Sequence, residues 1–435
     1  MNVITNTGEL ADFCTSLSSA EFVTVDTEFM REKTFWPILC LVQLAGSNGA
    51  AAVDPLAEGL DLAPLFDLLA APQVLKVMHG GRQDIEIFHH LTGRIPGPIY
   101  DTQIAAMVCG FGDQVGYETL IAKLTGSRLD KGSRFTDWSL RPLSDKQLRY
   151  ALDDVIHLRP AYERLRDQIG QAGRESWLAE EMSALTDVGL YEIVPGEAWR
   201  RLKPKTTSRR YLAVLREVAA WRENLALERD VPRNRVLRDE TLSQLAAHPP
   251  ADGPALERVR GISRGFAGST QGAALMLALE RGSALPADEA PEPIVKPQRP
   301  AGHGALVDLL KVLLKHKCET HHVAQKLVAT SAELEEIAAA TEDDMDDEGM
   351  IDVRALHGWR LEVFGTDALR LKRAELALAA IGNHIRLVAI NGTGQATLME
   401  EATTEPPAEE LKGNGRRRRR RRHAKKSGPQ GAASE

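Results

Sequence analysis

Apolar positions recur with a two-residue period early in the chain and with a helical period later, and that change divides the molecule. The runs Phe22-Val23-Thr24-Val25-Asp26-Thr27-Glu28, Leu39 to Ala45 and Ala50 to Asp54 are β-branched or apolar and predict strands. Between the last two, Gly46-Ser47-Asn48-Gly49 predicts a turn, hence a hairpin. Leu62 to Ala70 has helical spacing, and Val74 to Met78 reads as a fourth, buried strand. Residues 1–195 are therefore expected to form a mixed α/β sheet with flanking helices. Strand signals then stop. Residues 207–282 read as a small helical module, 283–303 with five prolines as a linker, and 304–386 as a second helical module. Its predicted helices are Ala305 to Leu314, Ala332 to Ala340 and Leu369 to Ile381, and its leucine pattern from Leu310 echoes that from Leu215. Residues 392–435 lack apolar periodicity and are expected to be disordered.

At 435 residues with 43% apolar content, two or three domains can each bury a core. The net charge of -7 hides an asymmetry, because residues 412–426 hold ten Lys and Arg and no acid. The remainder is acidic, so any nucleic-acid contact must come from local basic patches or from the run Arg416 to Arg422. The cysteines, Cys14, Cys40, Cys109 and Cys318, form no C-x-x-C pair, and no apolar run reaches bilayer length. A reducing, cytoplasmic setting without a membrane partner is expected. His316, Cys318, His321 and His322 lack a second ligand pair at zinc spacing and read as a polar helix end. No G-x-x-x-x-G-K-[ST] loop occurs, which excludes a helicase motor.

The first strand carries chemistry. Side chains alternate along a strand, so Asp26 and Glu28 share a face, where two anions need a cation between them. Directly after the fourth strand, His79-Gly80-Gly81-Arg82-Gln83-Asp84 turns sharply and places Asp84 in the first turn of a helix. Helix starts at the carboxyl ends of strands face the crevice where α/β proteins hold ligands. In the helix opened by the Ser144/Gln147 capping box, Tyr150 and Asp154 lie one turn apart on one face, whereas Asp153 points about 100° away.

These stretches together resemble the DEDD exonuclease superfamily in its tyrosine-bearing branch, ribonuclease D proteins most closely. The matching motifs are Asp26-Thr27-Glu28-Phe29 continuing into Trp36 to Leu44, Lys76 to Phe88, and Tyr150-Ala151-Leu152-Asp153-Asp154. Tyr211 to Glu228, Asp230 to Leu242 and Val259 to Ser263 resemble an HRDC domain, a helical nucleic-acid-binding module, and Gly358-Trp359-Arg360-Leu361 resembles a feature of second HRDC-like modules.

The resemblance implies a ribonuclease H-like exonuclease domain, two HRDC-like domains and metal-dependent release of nucleoside 5′-monophosphates from RNA 3′ ends. It implies two divalent ions, Mg²⁺ or Mn²⁺, on Asp26, Glu28, Asp84 and Asp154, with Asp26 bridging both and Tyr150 orienting the attacking water. Phe29, Met30, Trp36, His79, Gln83, Arg233 and Arg235 are the expected substrate contacts, with core packing an equal reading for Phe35 and Trp36. RNA is the implied partner, with tRNA precursors the implied substrate, a monomer the implied state, and no small-molecule cofactor. Two other readings stay open: a 3′-5′ exonuclease on DNA ends, and a non-catalytic RNA-binding scaffold.

Overall fold

The computed structural model describes residues 3–129, 132, 136–204, 206, 208–286, 288–293, 303–341, 351–392 and 395–399. β1 (Val3–Ile4), α1 (Thr7–Leu17), β2 (Phe22–Met30), β3 (Ile38–Gly46), β4 (Gly49–Val53), α2 (Ala63–Ala70), β5 (Leu75–Met78), α3 (Arg82–Thr92) and β6 (Ile99–Asp101) come first. Their strands form one sheet of order β1-β4-β3-β2-β5-β6. β2, β3 and β4 meander antiparallel, the hairpin closing with Gly46 opposite Gly49, and β5 and β6 extend β2 in parallel. The expected mixed sheet is present. β1 and β6, two and three residues long, are too short for a period to show in sequence.

The period-two pattern of β2 sorts its side chains. Val23 and Val25 enter a core with Leu10, Leu65 and Ile85 from α1, α2 and α3. Thr24, Asp26 and Glu28 take the opposite face. That face is crossed by a second helical layer, α4 (Thr102–Val108), α5 (Tyr117–Thr125), α6 (Asp145–Ile156), α7 (Leu158–Ala172) and α8 (Glu175–Leu185). α6 begins at the Ser144/Gln147 capping box and lies over β2, β3 and β4. Its far end is tied down by the Thr24 hydroxyl, which donates to the Val155 carbonyl at 2.8 Å.

The helical module comprises α9 (Arg209–Glu228), α10 (Arg233–Val236), α11 (Asp239–Ala247), α12 (Gly253–Glu257) and α13 (Thr270–Ala284) around Leu215, Trp221, Leu242 and Leu279. α13 runs through Ala284, two residues into the expected linker.

The C-terminal module has α14 (Gly304–Thr320), α15 (Gln325–Val328), α16 (Ser331–Ala339), α17 (Gly358–Arg360) and α18 (Thr366–Lys372), then an antiparallel sheet of β7 (Leu376–Ile381), β8 (His384–Ile390) and β9 (Ala396–Leu398). The expected helix from Leu369 to Ile381 therefore stops at Lys372, and an all-α module is corrected to helices plus a small sheet. Leu-Ala-Leu-Ala-Ala-Ile suits a helix locally, but Ala374 turns the chain at φ 58° and pairing with β8 decides the outcome. β9 likewise falls inside the stretch expected to be disordered, while the arginine run and most of Asp343 to Asp352 lie outside the described residues.

This module shares one core with the first domain: Leu310, Leu314 and Phe364 join a cluster with Val108, Ile121, Leu165 and Leu178. Arg174 donates to the carbonyls of Val108 at 2.8 Å and His322 at 2.9 Å, and also to that of His321. Trp177 stacks on Trp359 with centroids 4.3 Å apart, and Arg360 pairs with Glu180 and Glu181. Cys318 is buried in this core near the end of α14, whose C-cap is His321.

Candidate metal centre

Asp26 and Glu28 leave β2 on one face, and Asp154 reaches them from α6. One ligand oxygen from each lies within 4.8 Å of the others, the group among the described residues able to hold a metal ion. They open into a cavity of about 810 Å³ also lined by Asp84, Tyr150, His79, Gln83, Phe29 and Met30. The fourth acid arrives as expected, in the first turn of α3. Gly80 makes the approach turn at φ +67°, and Gly81 sits so close to Met78 that a Cβ would fall 2.8 Å from its Sδ.

One residue that sequence reasoning missed holds this turn. Asp101, 2% exposed, accepts from the backbone N–H groups of Gly80 at 3.0 Å, Gly81 at 2.8 Å and Gln103 at 2.8 Å. A single carboxylate thus caps α4 and anchors the start of α3; its place just before a helix was the available signal. Thr27, between the two strand acids, donates its hydroxyl to Asp84 and so couples β2 to α3. Tyr117 places its hydroxyl 2.6 Å from the Asp154 carbonyl, fixing the turn of α6 that bears this acid. Asp153 does not line the cavity, whereas Asp154 does, as the Tyr150 spacing required.

Burial pushes the Asp26 carboxyl well above the usual range, and the negative charges of Asp154, Asp84 and Glu28 add to it. Asp84 is raised to about 7 by burial, against the opposing pull of the Thr27 hydrogen bond. Four carboxylates gathered at such cost suit a hard divalent cation, whose charge offsets their repulsion and whose preference is for oxygen. The residues present fit that group.

Two expected substrate contacts, Trp36 and Arg233, do not line the cavity. Trp36 is outside the cavity and stacks on His90 at 3.8 Å and 11°. Phe35, the other half of that aromatic pair, is 5% exposed beneath the Arg233 guanidinium, and the backbone N–H groups of both aromatics donate to Asp230 Oδ1 at 3.0 Å. The pair fastens the β2–β3 connection to the helical module. Arg233 pairs with Glu223, 1% exposed, through Nε at 2.6 Å, and remains half-buried. Arg235 is exposed, as are Arg238, Arg258, Arg260 and Arg264.

Comparison with known proteins agrees with this geometry. A family model described as 3′-5′ exonuclease matches residues 1–170, and one for the HRDC domain matches residues 211–279. Ribonuclease D of Granulibacter bethesdensis is 49% identical over 389 residues, 89% of this chain and 96% of that protein. Ribonuclease D of Acidiphilium cryptum is 50% identical over 386 residues, with 89% and 96% covered. Among solved structures, Escherichia coli RNase D, "an exoribonuclease involved in structured RNA processing", superposes with a TM-score of 0.73 at 29% identity, covering 86% of this chain and 99% of that one.

Proposed function

This chain belongs to the ribonuclease D family of 3′-5′ exoribonucleases, and from that premise we propose how its own residues carry out the reaction and on what. It is a hydrolase that shortens RNA from the 3′ end and releases nucleoside 5′-monophosphates, with tRNA precursors as the substrate class, acting as a cytoplasmic monomer. The observation that carries this reading is the convergence of Asp26, Glu28 and Asp154 at the floor of one cavity with Asp84 beside them.

Two divalent ions, Mg²⁺ or Mn²⁺, would be held by Asp26, Glu28, Asp84 and Asp154; bound there, they supply Lewis-acid stabilisation of the in-line phosphoryl displacement. Asp26 would serve both ions, Glu28 and Asp154 the ion on the nucleophile side, and Asp84 the ion on the leaving-group side. Tyr150, on the same α6 face as Asp154, hydrogen-bonds and orients the attacking water. Its phenol acts as a positioning group. Phe29 and Met30 line the cavity with the acids and hold the terminal nucleotide, together with His79 and Gln83, which line it too. The exposed arginines of the HRDC domain, Arg235 first, contact upstream phosphates, and α14, α15 and α16 repeat the long, short and medium helices of α9, α10 and α11 as a second HRDC-like module.

A 3′-end-labelled RNA incubated with the full chain and Mg²⁺ or Mn²⁺ tests the reading. Labelled nucleoside 5′-monophosphate is expected, abolished by a chelator. A matched DNA strand consumed faster than the RNA would favour the DNA-end reading, and no product from either would leave a binding scaffold.

A further inference from the structure

On β3, directly across from Asp26 in the antiparallel register, stands Gln43. Residues opposite each other in such a pair share a face with Cβ atoms roughly 4.5–5.5 Å apart, so this carboxamide lies beside the acid assigned to bridge the ions. Gln43 is fully buried, and neither Oε1 nor Nε2 has a hydrogen-bond partner. Its other cross-strand neighbour is Ala52, which offers no polar side-chain group, and α6 packs across β3.

An orphaned buried amide is unfavourable, since both ends have left water and gained nothing. An apolar side chain of that size would fill the space without the penalty; Leu41 and Leu44 on the same strand do so elsewhere. A carboxamide kept there in spite of its cost points to a state of the site in which it is satisfied. An ionised carboxylate is an acceptor with several lone-pair sites, more than a metal ligand uses, and an amide N–H suits the remainder.

Resting on the metal-centre reading above, we propose that Gln43 is a positioning residue for the ion-bearing site: its Nε2 donates to the Asp26 carboxylate and holds that bridging ligand in one orientation. Groups of this kind stand behind the ligands themselves, and their loss typically weakens metal affinity by roughly 10- to 100-fold. The carboxamide acts through Asp26 and needs no contact with RNA.

Titration of Mn²⁺ into the full chain, followed by calorimetry without RNA, tests this together with metal-free thermal melts. Wild type must bind and Asp26→Asn must not; failure of that control overturns the metal-centre reading itself. Given the control, Gln43→Met is expected to bind Mn²⁺ about tenfold or more weakly while its metal-free melting temperature holds or rises, because two orphaned polar atoms are gone. Wild-type Mn²⁺ affinity in Gln43→Met would overturn the proposal. So would a lowered metal-free melting temperature with affinity unchanged, the signature of a structural glutamine. Should Gln43→Met fail to fold, Gln43→Asn, which keeps the amide but shortens its reach, is expected to show the same loss of affinity, and unchanged binding overturns the proposal equally.

Discussion

Asp26 and Tyr150 line the same cavity, and the different roles proposed for them predict that their variants separate cleanly. In a single-turnover assay, Tyr150→Phe is expected to slow RNA hydrolysis by on the order of 10²-fold while leaving it measurable. Asp26→Asn, which removes the proposed bridging ligand, is expected to leave no detectable product, and equal slight effects would refute the assignment. The raised Asp84 carboxyl adds a pH signature in the metal-free protein. Folded, it holds its proton up to about 7, whereas unfolded it releases it near the ordinary aspartate value. The native state thus binds more protons across that window, so metal-free stability should fall as pH rises from about 4 to about 7. Asp84→Asn should flatten this slope in melts recorded with chelator, and added Mg²⁺ should stabilise the wild type at pH 8 but not the variant. The four acids and Tyr150 were legible in sequence because each is set by a local rule: alternation on a strand, the first turn of a helix, a four-residue repeat. Phe35, Trp36 and Arg233 were not, because whether an aromatic or an arginine meets solvent, RNA or a partner such as Asp230 or Glu223 is decided by residues some 10 to 195 positions away.

Elements rather than side chains set the shape of the site, and the short loop between β5 and α3 is the most constrained of them. Asp101→Ala would strip acceptors from the N–H groups of Gly80, Gly81 and Gln103 together. A loss of about 2 kcal/mol is expected in denaturant melts, with a parallel drop in Mn²⁺ affinity as Asp84 drifts. Retained affinity at that lowered stability would show that the turn does not position the acid. The strands of the main sheet were readable because their faces are sharply divided between core and crevice. β7 was not, since its alternating Leu and Ala carry nearly the same hydropathy whichever period is chosen, and the pairing that fixes it lies in β8.

At the scale of the molecule, charge and packing act on separate ends of the problem. Truncation after residue 404 removes the basic run from an otherwise acidic chain. Affinity for long RNA should fall and its dependence on salt should become shallower, while single-turnover hydrolysis of a short oligonucleotide keeps its rate. An unchanged salt slope would deny the run a part in binding. Arg174→Ala should cost about 3 kcal/mol, because three carbonyls from two segments lose their common donor in a buried joint.

That joint also bears on how the chain may be divided. The segments α14 to α18 complete an apolar interior begun by α4, α5 and α7, while the HRDC helices close a core of their own. Cutting at residue 195 would strip Trp177 of Trp359 and Arg174 of the His321 and His322 carbonyls and open the shared core, and the isolated nuclease fragment should aggregate. In folding terms the outer two thirds are one body interrupted by a guest. Anyone seeking a minimal enzyme should excise the middle and keep the end.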